Sequence, residues 1–296
     1  MERKTSIKWF VSNSFWGLCG HILPTKIYLS LRYRIIFGKW INWKNPTSFT
    51  EKLQWLKVYG HGEQYTHLVD KLLVKDYVAS IVGEKYVIPT LAVWDSIDSI
   101  DSYNLPNQFV MKCNHDSGSI VICNDKATFD CNEAKKAISK VFRRNYYFVG
   151  RETPYKRVHR KVFAEKLIRC TSGGDLKDYK FFCFNGMPRC FKIDFDRFVD
   201  HHANYYDMHQ NLLPFGEVWP SPDQNRKMII PDNFDEMVSV ASSLSRNIPF
   251  ARVDLYNNDG VILFGEITLY PTSGFGPFTD PEWDLKLGEW LDLSTV

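Results

Sequence analysis

The stretch that most constrains this chain is Arg252-Val-Asp-Leu-Tyr256, then Asn257-Asn-Asp-Gly260, then Val261-Ile-Leu-Phe-Gly-Glu-Ile-Thr268. Two apolar-rich runs flanking a turn sequence read as an antiparallel hairpin. Side chains two residues apart on a strand share a face, so Arg252 lies with Asp254, and Glu266 with Thr268. A four-residue turn at 257–260 is expected to bring those faces together. Two carboxylates, a hydroxyl and a guanidinium would then form an oxygen-rich cage suited to Mg2+ held jointly with phosphate oxygens. A cross-strand ion pair of Arg252 with Glu266 on a solvent face explains the same residues, and such pairs contribute only about 0–1 kcal/mol.

A second hairpin is expected from Tyr179–Phe184, the turn Asn185-Gly186, and Pro188–Phe195, because Asn-Gly is the strongest short turn signal. Asp178 and Lys180 share a face there, with Lys192 on the return strand. They read either as charges near phosphate or as solvated strand residues. Upstream, strand-like runs cover Tyr86–Ile88, Leu91–Trp94, Phe109–Lys112, Ser119–Cys123 and Val162–Ile168. Helical spacing covers 132–147, through Ala134, Ala137, Ile138, Val141 and Phe142, and 234–246, through Met237, Val240, Ala241 and Leu244. Asn45-Pro46 ends a basic segment, 25–45, because the residue before proline is pushed out of helix. Ser48 and Glu51 fit a capping box, and a further helix is expected over Asp70–Val82, stopped by Gly83. This mixture predicts an α+β or α/β fold.

Composition narrows the classes. The 296 residues are 44% hydrophobic and 24% charged, which excludes disorder and fibrous arrays. Lys and Arg number 37 against 34 Asp and Glu, too even a balance for a protein that neutralises many phosphates of a nucleic acid. Seven cysteines without a CxxC pair point to a reduced, cytoplasmic protein. No 18-residue apolar run marks a membrane span. Lys8, Ser12, Asn13, Ser14 and His21 break up the N-terminal apolar stretch, which argues against a cleaved signal peptide. A membrane-surface helix carrying Trp9, Phe10 and Trp16 and a helix packed on its own domain both fit that segment.

Met111-Lys-Cys-Asn-His-Asp-Ser-Gly-Ser119 is a strand that ends in a lysine and enters a Gly/Ser loop. Backbone N–H groups and the hydroxyls of Ser117 and Ser119, with Gly118 between them, can fold over phosphate oxygens while Lys112 supplies charge. A hairpin turn beside a solvated lysine is the plain alternative, and the P-loop pattern is absent. Glu165 opens an apolar segment that could offer backbone groups to an adenine edge. His201 and His202 are adjacent and point oppositely on a strand, so they make a poor metal pair; His202 or Asp207 suits substrate recognition better. His115 reads either as a phosphate contact or as an exposed loop histidine without a role, and the Gly-rich loop Pro271–Pro277 could receive the acceptor carboxylate through its N–H groups.

The order of these pieces is more specific than any one of them. Asp70-Lys71, Lys112 with its Gly/Ser loop, Glu165, Asp178-x-Lys180, Arg252-x-Asp254 and Glu266-x-Thr268 together resemble the ATP-grasp ligases. Within them the chain is most similar to the teichuronopeptide-biosynthesis (TupA-like) family. That likeness rests on Asn45-Pro-x-x-Phe-Thr-Glu-Lys-Leu-Gln-Trp55, Leu105-Pro-x-x-Phe-Val-x-Lys112, Asn114-His-x-Ser-Gly118, Asp178-Tyr-Lys-Phe-Phe182, Arg252-Val-Asp-Leu-Tyr256 and Gly265-Glu-Ile-Thr268.

The resemblance implies an α+β ATP-grasp fold. A largely helical region, 1–85, would precede an ATP-grasp domain, 86–296, with a small lid at about 108–165 and a metal-binding half at about 166–296. It further implies an ATP- and Mg2+-dependent carboxylate–amine ligase working through an acyl phosphate, joining an amino acid or amine to a uronic-acid-type carboxylate in bacterial cell-surface or capsular polysaccharide biosynthesis. The protein would lie in the cytoplasm or at the inner membrane face, with peripheral contact through its N-terminal segment. By the same resemblance Lys71 and Lys112 hold the α and β phosphates, and Ser117, Gly118 and Ser119 close over the γ-phosphate. Glu165 and the backbone of Leu167 and Ile168 hold adenine, and Asp178 takes the ribose. Either Lys180 or Lys192 could serve the γ-phosphate. Asp254, Glu266 and Thr268 bind Mg2+, and Arg252 stabilises the acyl phosphate. Thr268 departs from the asparagine usual in ATP-grasp enzymes, which leaves direct or water-bridged coordination open. Two other classes stay open on the residues alone: a glycosyltransferase using Asp194-Phe-Asp196 with a sugar nucleotide, and a non-catalytic membrane-surface module.

Overall fold

The computed structural model describes residues 16–17, 19–60, 62–116, 118–170, 176–195, 201–218, 221–226, 228–294 and 296. Helix α1 (Thr25–Phe37) ends at Gly38, whose φ of 71° lets its N–H reach the Arg34 carbonyl at 3.0 Å. Helix α2 (Phe49–Tyr59) begins with the expected capping box: the Ser48 hydroxyl accepts from the Glu51 N–H, and the Glu51 carboxylate accepts from the Ser48 N–H. Helix α3 (Leu73–Ile81) starts later than Asp70, whose backbone is extended, with ψ of 112°, and whose carboxylate accepts from the Leu72 N–H at 2.9 Å.

Two antiparallel sheets follow. In the first, β1 (Thr90–Trp94), β2 (Phe109–Cys113), β3 (Ile120–Cys123) and β4 (Val162–Lys166) lie in the order β1-β4-β2-β3. Helix α4 (Cys131–Phe142) covers it, with Ile138 buried among Phe109, Met111, Val162 and Ala164. The helical spacing expected through 147 stops at Phe142, where Arg160 donates to the Phe142 and Arg143 carbonyls. Asn145 then accepts from the Tyr147 N–H at 3.0 Å and starts a separate single turn, Tyr147–Gly150. Tyr86–Ile88 is not a strand either. Glu84–Tyr86 forms a 3-10 turn, and the Ile88 carbonyl is taken by the Lys75 ammonium at 2.8 Å.

The second sheet holds β5 (Lys177–Phe184), β6 (Met187–Phe195), β7 (His202–Asp207), β8 (Phe250–Asn258) and β9 (Val261–Thr268) in the order β7-β6-β5-β8-β9. Helix α5 (Phe234–Leu244) connects β7 to β8 and packs Met237, Val240, Ala241 and Leu244 into the core with Phe181, Phe191 and Val253. On the opposite sheet face Phe184 and Phe250 sit under Phe49 of α2 and Trp290 of helix α6 (Pro281–Trp290). The two helices are joined by Asp284, which accepts from the Thr50 N–H and hydroxyl at 2.8 and 2.7 Å. Beyond Phe182 and Arg252 the same sheet face changes from rings to charges.

Both hairpins close on two-residue turns with left-handed φ, Asn185-Gly186 at 49° and 83° and Asp259-Gly260 at 50° and 91°. The second is shorter than the four-residue turn expected, and taken alone it would pair Asp254 with Gly265 and turn Glu266 to the other face. A β-bulge corrects this. Asn258 to Leu255 pair in step with Val261 to Phe264, the register then shifts, and Asp254 meets Glu266 while Arg252 meets Thr268. Gly265 is the extra residue, and a Cβ there would lie 3.1 Å from the Asp254 carbonyl oxygen.

No helix of the described residues is long and apolar enough to cross a membrane. Trp16 is buried with its ring edge-on to Tyr28 at 5.5 Å, so it packs on its own domain, while Trp9 and Phe10 lie outside the described residues. All seven cysteines are free thiols.

Candidate functional site

Strand registers place Tyr205, Lys192, Lys180, Asp254 and Glu266 in one row across all five strands of the second sheet. Neighbouring rows add Asp178 and Asp194 on one side, Arg252 and Thr268 on the other. Lys180 pairs with Asp178, with Asp254 at 3.1 Å and with Asp194 at 3.6 Å; Lys192 pairs with Asp194 at 3.2 Å. Arg252 donates to both Asp254 oxygens at 2.7 Å, to Glu266 at 2.9 Å and to the Thr268 hydroxyl at 3.0 Å. Lys71 reaches the other Glu266 oxygen at 3.2 Å. The cross-strand pair of Arg252 with Glu266 thus exists, but inside a network, with Arg252 largely buried.

Burial alone would discharge these groups, and the neighbours decide which way each one moves. Burial pushes Lys180 down, yet Asp178 and Asp254 outweigh it and hold its pKa above the ordinary lysine value. Lys192 has less compensation, and burial lowers it. Burial acts to raise Glu266, but Lys71 and Arg252 overcome it and hold the carboxyl well below the usual range. Asp254 goes the other way: burial raises it, with Arg252 and Lys180 opposing.

Asp254, Glu266 and Thr268 are hard oxygen donors on one face, the donor type that Mg2+ selects. The Arg252 guanidinium already bridges the two carboxylates, so the position between them favours positive charge. The residues fit a divalent cation. Four carboxylates are matched here by Lys71, Lys180, Lys192 and Arg252, so added positive charge is best accommodated together with phosphate oxygens. Thr268 donates to Glu266 at 3.2 Å and orients that carboxylate.

A second cluster faces this one across a narrow cavity between the sheets, lined by Lys71, Lys75, Lys112, Glu165, Tyr256 and Gly265. Glu165 is buried between Lys112 and Lys75, the latter at 2.9 Å. Burial acts to raise Glu165, and the two lysines outweigh it and lower its pKa. Lys75 carried no signal in the sequence; its carboxylate partner stands 90 residues away. Leu167 and Ile168 follow β4 as half-buried irregular chain.

The Gly/Ser loop joins both clusters. Asn114 donates to Asp70 at 2.8 Å, and its carbonyl accepts from the Lys71 N–H at 2.9 Å. Ser119 accepts from the Cys113 N–H and bonds Asp116, so its hydroxyl closes the loop. Gly118 has a φ of 108°, which favours glycine, and Ser117 lies outside the described residues. His115 lines a different cavity with Lys156 and His159. Asp207 closes its own turn by accepting from the His209 and Asn211 N–H groups at 2.9 and 2.8 Å. His201 bonds Asp194 at 3.0 Å, and no three His, Cys, Asp or Glu among the described residues form a metal cluster.

Beside Arg252, Glu266 and Thr268 opens a cavity of about 370 Å³ that also takes in Arg32, Arg144, Glu152 and Ser273. Its wall at Thr272 and Ser273 belongs to a left-handed turn that runs through Gly274, with φ of 50°, 54° and 63°. Lys57 holds that wall from beneath, donating to the Ser273 and Gly150 carbonyls, each at 2.7 Å. Burial pushes the Lys57 ammonium down to about 7. Nothing in the sequence signalled Lys57, Arg32, Arg144 or Glu152.

A sequence model of the TupA-like ATP-grasp family matches residues 51–292. No curated protein matches the sequence. Among solved structures, D-alanine–D-alanine ligase from Bacillus anthracis complexed with ATP is 16% identical, covering 76% of this chain and 63% of its own, with a TM-score of 0.42. The Helicobacter pylori enzyme is 14% identical over 83% of this chain and 70% of its own, with a TM-score of 0.45. The ATP-grasp ligase PsnB complexed with minimal precursor is 8% identical over 70% of this chain, with a TM-score of 0.39, and the chain spans 53% of its length.

Proposed function

We propose that this chain, which belongs to the TupA-like ATP-grasp family, is an ATP-dependent carboxylate–amine ligase that forms an amide bond. The observation that carries the reading is the facing pair of charged clusters. Lys112 and Glu165 on one sheet face Lys180, Asp254 and Glu266 on the other, and Lys71 lines the cavity between them while pairing with Glu266. In the reaction an acceptor carboxylate oxygen displaces ADP from the γ-phosphorus of ATP. An amine then displaces phosphate from the acyl carbon and loses a proton.

Preorganised cations aimed at developing negative charge commonly supply the largest catalytic contribution. Lys71 and Lys112 stand ready for the α and β phosphates, and Lys180 and Lys192 for the γ-phosphate. Glu165, with the Leu167 and Ile168 backbone, is assigned to adenine and Asp178 to ribose. Asp254 and Glu266 would hold Mg2+, with Thr268 orienting Glu266; the ion supplies Lewis-acid charge at the phosphates. Arg252 faces both the carboxylate pair and the 370 Å³ cavity, where it can neutralise the acyl phosphate. The lid, about 108–165, would close over the nucleotide.

The acceptor is assigned to uronic-acid-type carboxylates of a bacterial cell-surface polymer and the donor to an amino acid or amine. Helix α1 supports a position at the inner, anionic membrane face. Ile27, Leu31 and Ile35 form an exposed stripe, 50%, 38% and 68% accessible, beside exposed Lys26, Arg34 and Lys39, with no acidic residue between 3 and 50. Nothing at Asp194 favours a glycosyltransferase, since it is paired with Lys192 and His201, and Asp196 lies outside the described residues. The direct test incubates the protein with ATP, Mg2+, a uronic acid and hydroxylamine. ATP-dependent hydroxamate is expected, and ADP formation without hydroxamate across uronic and amino acids would refute the ligase reading.

A further inference from the structure

The 370 Å³ cavity beside Arg252 has more positive charge than activating one carboxylate requires. Four cations line it, Arg32, Lys71, Arg144 and Arg252, against two carboxylates, Glu152 and Glu266. Lys71 and Arg252 are already committed to Glu266, at 3.2 and 2.9 Å. Glu152 is held by the Ser273 hydroxyl and has the Lys57 and Arg32 charges nearby. With Lys57 counted, five cations face two carboxylates, so positive charge remains in excess at the end of the cavity where Arg32 and Arg144 lie.

Arg32 is positioned rather than loose. Its guanidinium lies over the Phe275 ring at 4.3 Å and donates to the Val149 carbonyl at 2.6 Å and the Tyr28 hydroxyl at 3.0 Å. Its Nε is buried and has no hydrogen-bond partner among the described residues. Neither Arg32 nor Arg144 forms an ion pair among the described residues. A guanidinium held in a fixed plane with no carboxylate bonded to it is suited to receive an anion.

We propose that the acceptor carries two anionic groups. The carboxylate to be activated lies against Arg252 and Thr268, and a second anion, a phosphate ester or a further carboxylate, lies against Arg32 and Arg144. This rests on the ligase reading above and names its substrate class. The walls that separate the two ends are fixed by Lys57, which ties Gly150 to Ser273 and so holds the segment carrying Val149 and Glu152 against the 272–274 turn.

The test compares two probes on the full chain with a non-hydrolysable ATP analogue and Mg2+ present: D-glucuronic acid, and D-glucuronic acid 1-phosphate, which adds only the second anion. Nucleotide affinity is measured on the same samples. The phosphorylated probe should bind about tenfold or more tightly than the plain acid, since hydrogen bonds to charged groups discriminate at that scale. Arg32→Gln and Arg144→Gln should each remove most of that preference without changing nucleotide affinity, and Arg32→Lys should retain part of it. D-glucuronic acid 1-phosphate replaced by glutarate separates a phosphate from a second carboxylate as the preferred anion. Equal binding of the acid and its 1-phosphate, no binding of either, or an unchanged preference in both glutamine variants overturns the proposal. Failure to bind nucleotide would instead refute the ligase reading itself.

Discussion

Asp254 and Glu266 stand directly opposite each other on β8 and β9 because one residue, Gly265, is extruded between Phe264 and Glu266. The tight turn at Asp259-Gly260 sets a register in which Glu266 would face the core, and the bulge reverses it. A side chain at 265 meets the Asp254 carbonyl oxygen at 3.1 Å and the Tyr256 ring at 3.2 Å. Gly265→Val is expected to lose about 1–3 kcal/mol of stability from overpacking, and to lose turnover disproportionately while keeping its circular dichroism spectrum. Unchanged kcat in a folded variant would show that the bulge does not position the carboxylates.

Glu266→Gln keeps the shape of the side chain and removes the charge facing Lys71 and Arg252. Turnover with ATP and Mg2+ should fall by about 10²–10³, the scale for removing one preorganised electrostatic group. Asp254→Asn should do the same, with a smaller drop in Tm, because burial already favours the uncharged form of Asp254 whereas Lys71 and Arg252 favour the charged form of Glu266. A phosphate-release assay paired with thermal melts separates the two effects, and wild-type turnover in both variants would remove the metal assignment.

The residues that make local structure were legible in the sequence. Ser48 with Glu51, Asn185-Gly186, and the hairpin ending at Thr268 each announce themselves within a few positions, where spacing and turn chemistry act. The bulge at Gly265 did not, because nothing in a run of strand residues marks where register shifts. The cation partners were equally hidden. Lys75 finds Glu165, and Lys57 finds Gly150 and Ser273, across long stretches of chain, so only the folded arrangement assigns them. Ordered motifs did place Lys71, Lys112, Glu165, Lys180, Asp254 and Glu266 together as candidates, and the fold brings them to two facing clusters.

Acid should weaken the fold through Glu165 and Glu266, both held below the ordinary glutamate value by their lysine and arginine neighbours. Above about pH 4.3, the unfolded glutamate value, both states are ionised and the stabilisation is complete. Below it the unfolded chain takes up protons that the folded chain refuses, so the contribution declines as pH falls toward the folded pKa values. Urea midpoints should drop between pH 5 and pH 3, about the range set by that reference value, and Glu266→Gln should show a shallower drop than wild type. An equal drop would contradict the linkage.

Lys57 touches no proposed substrate group, yet it fastens the left-handed turn at Thr272–Gly274 to Gly150. Lys57→Met fills the space and leaves the Gly150 carbonyl without this donor, while the Ser273 carbonyl keeps Gln54 at 3.3 Å, at a cost of about 1–3 kcal/mol for the lost partner. A lowered Tm together with a raised KM for the acceptor and an unchanged KM for ATP is expected. Equal changes in both KM values would show that Lys57 supports the fold generally.

Calorimetric titration of ATP, with and without Mg2+, into wild type and Lys112→Ala tests the central claim most directly. The facing clusters predict binding that Mg2+ strengthens in the wild type and that weakens by about tenfold or more when Lys112, one of the two lysines paired with Glu165, is removed. No ATP binding in either buffer, or equal affinity in both proteins, would contradict the account.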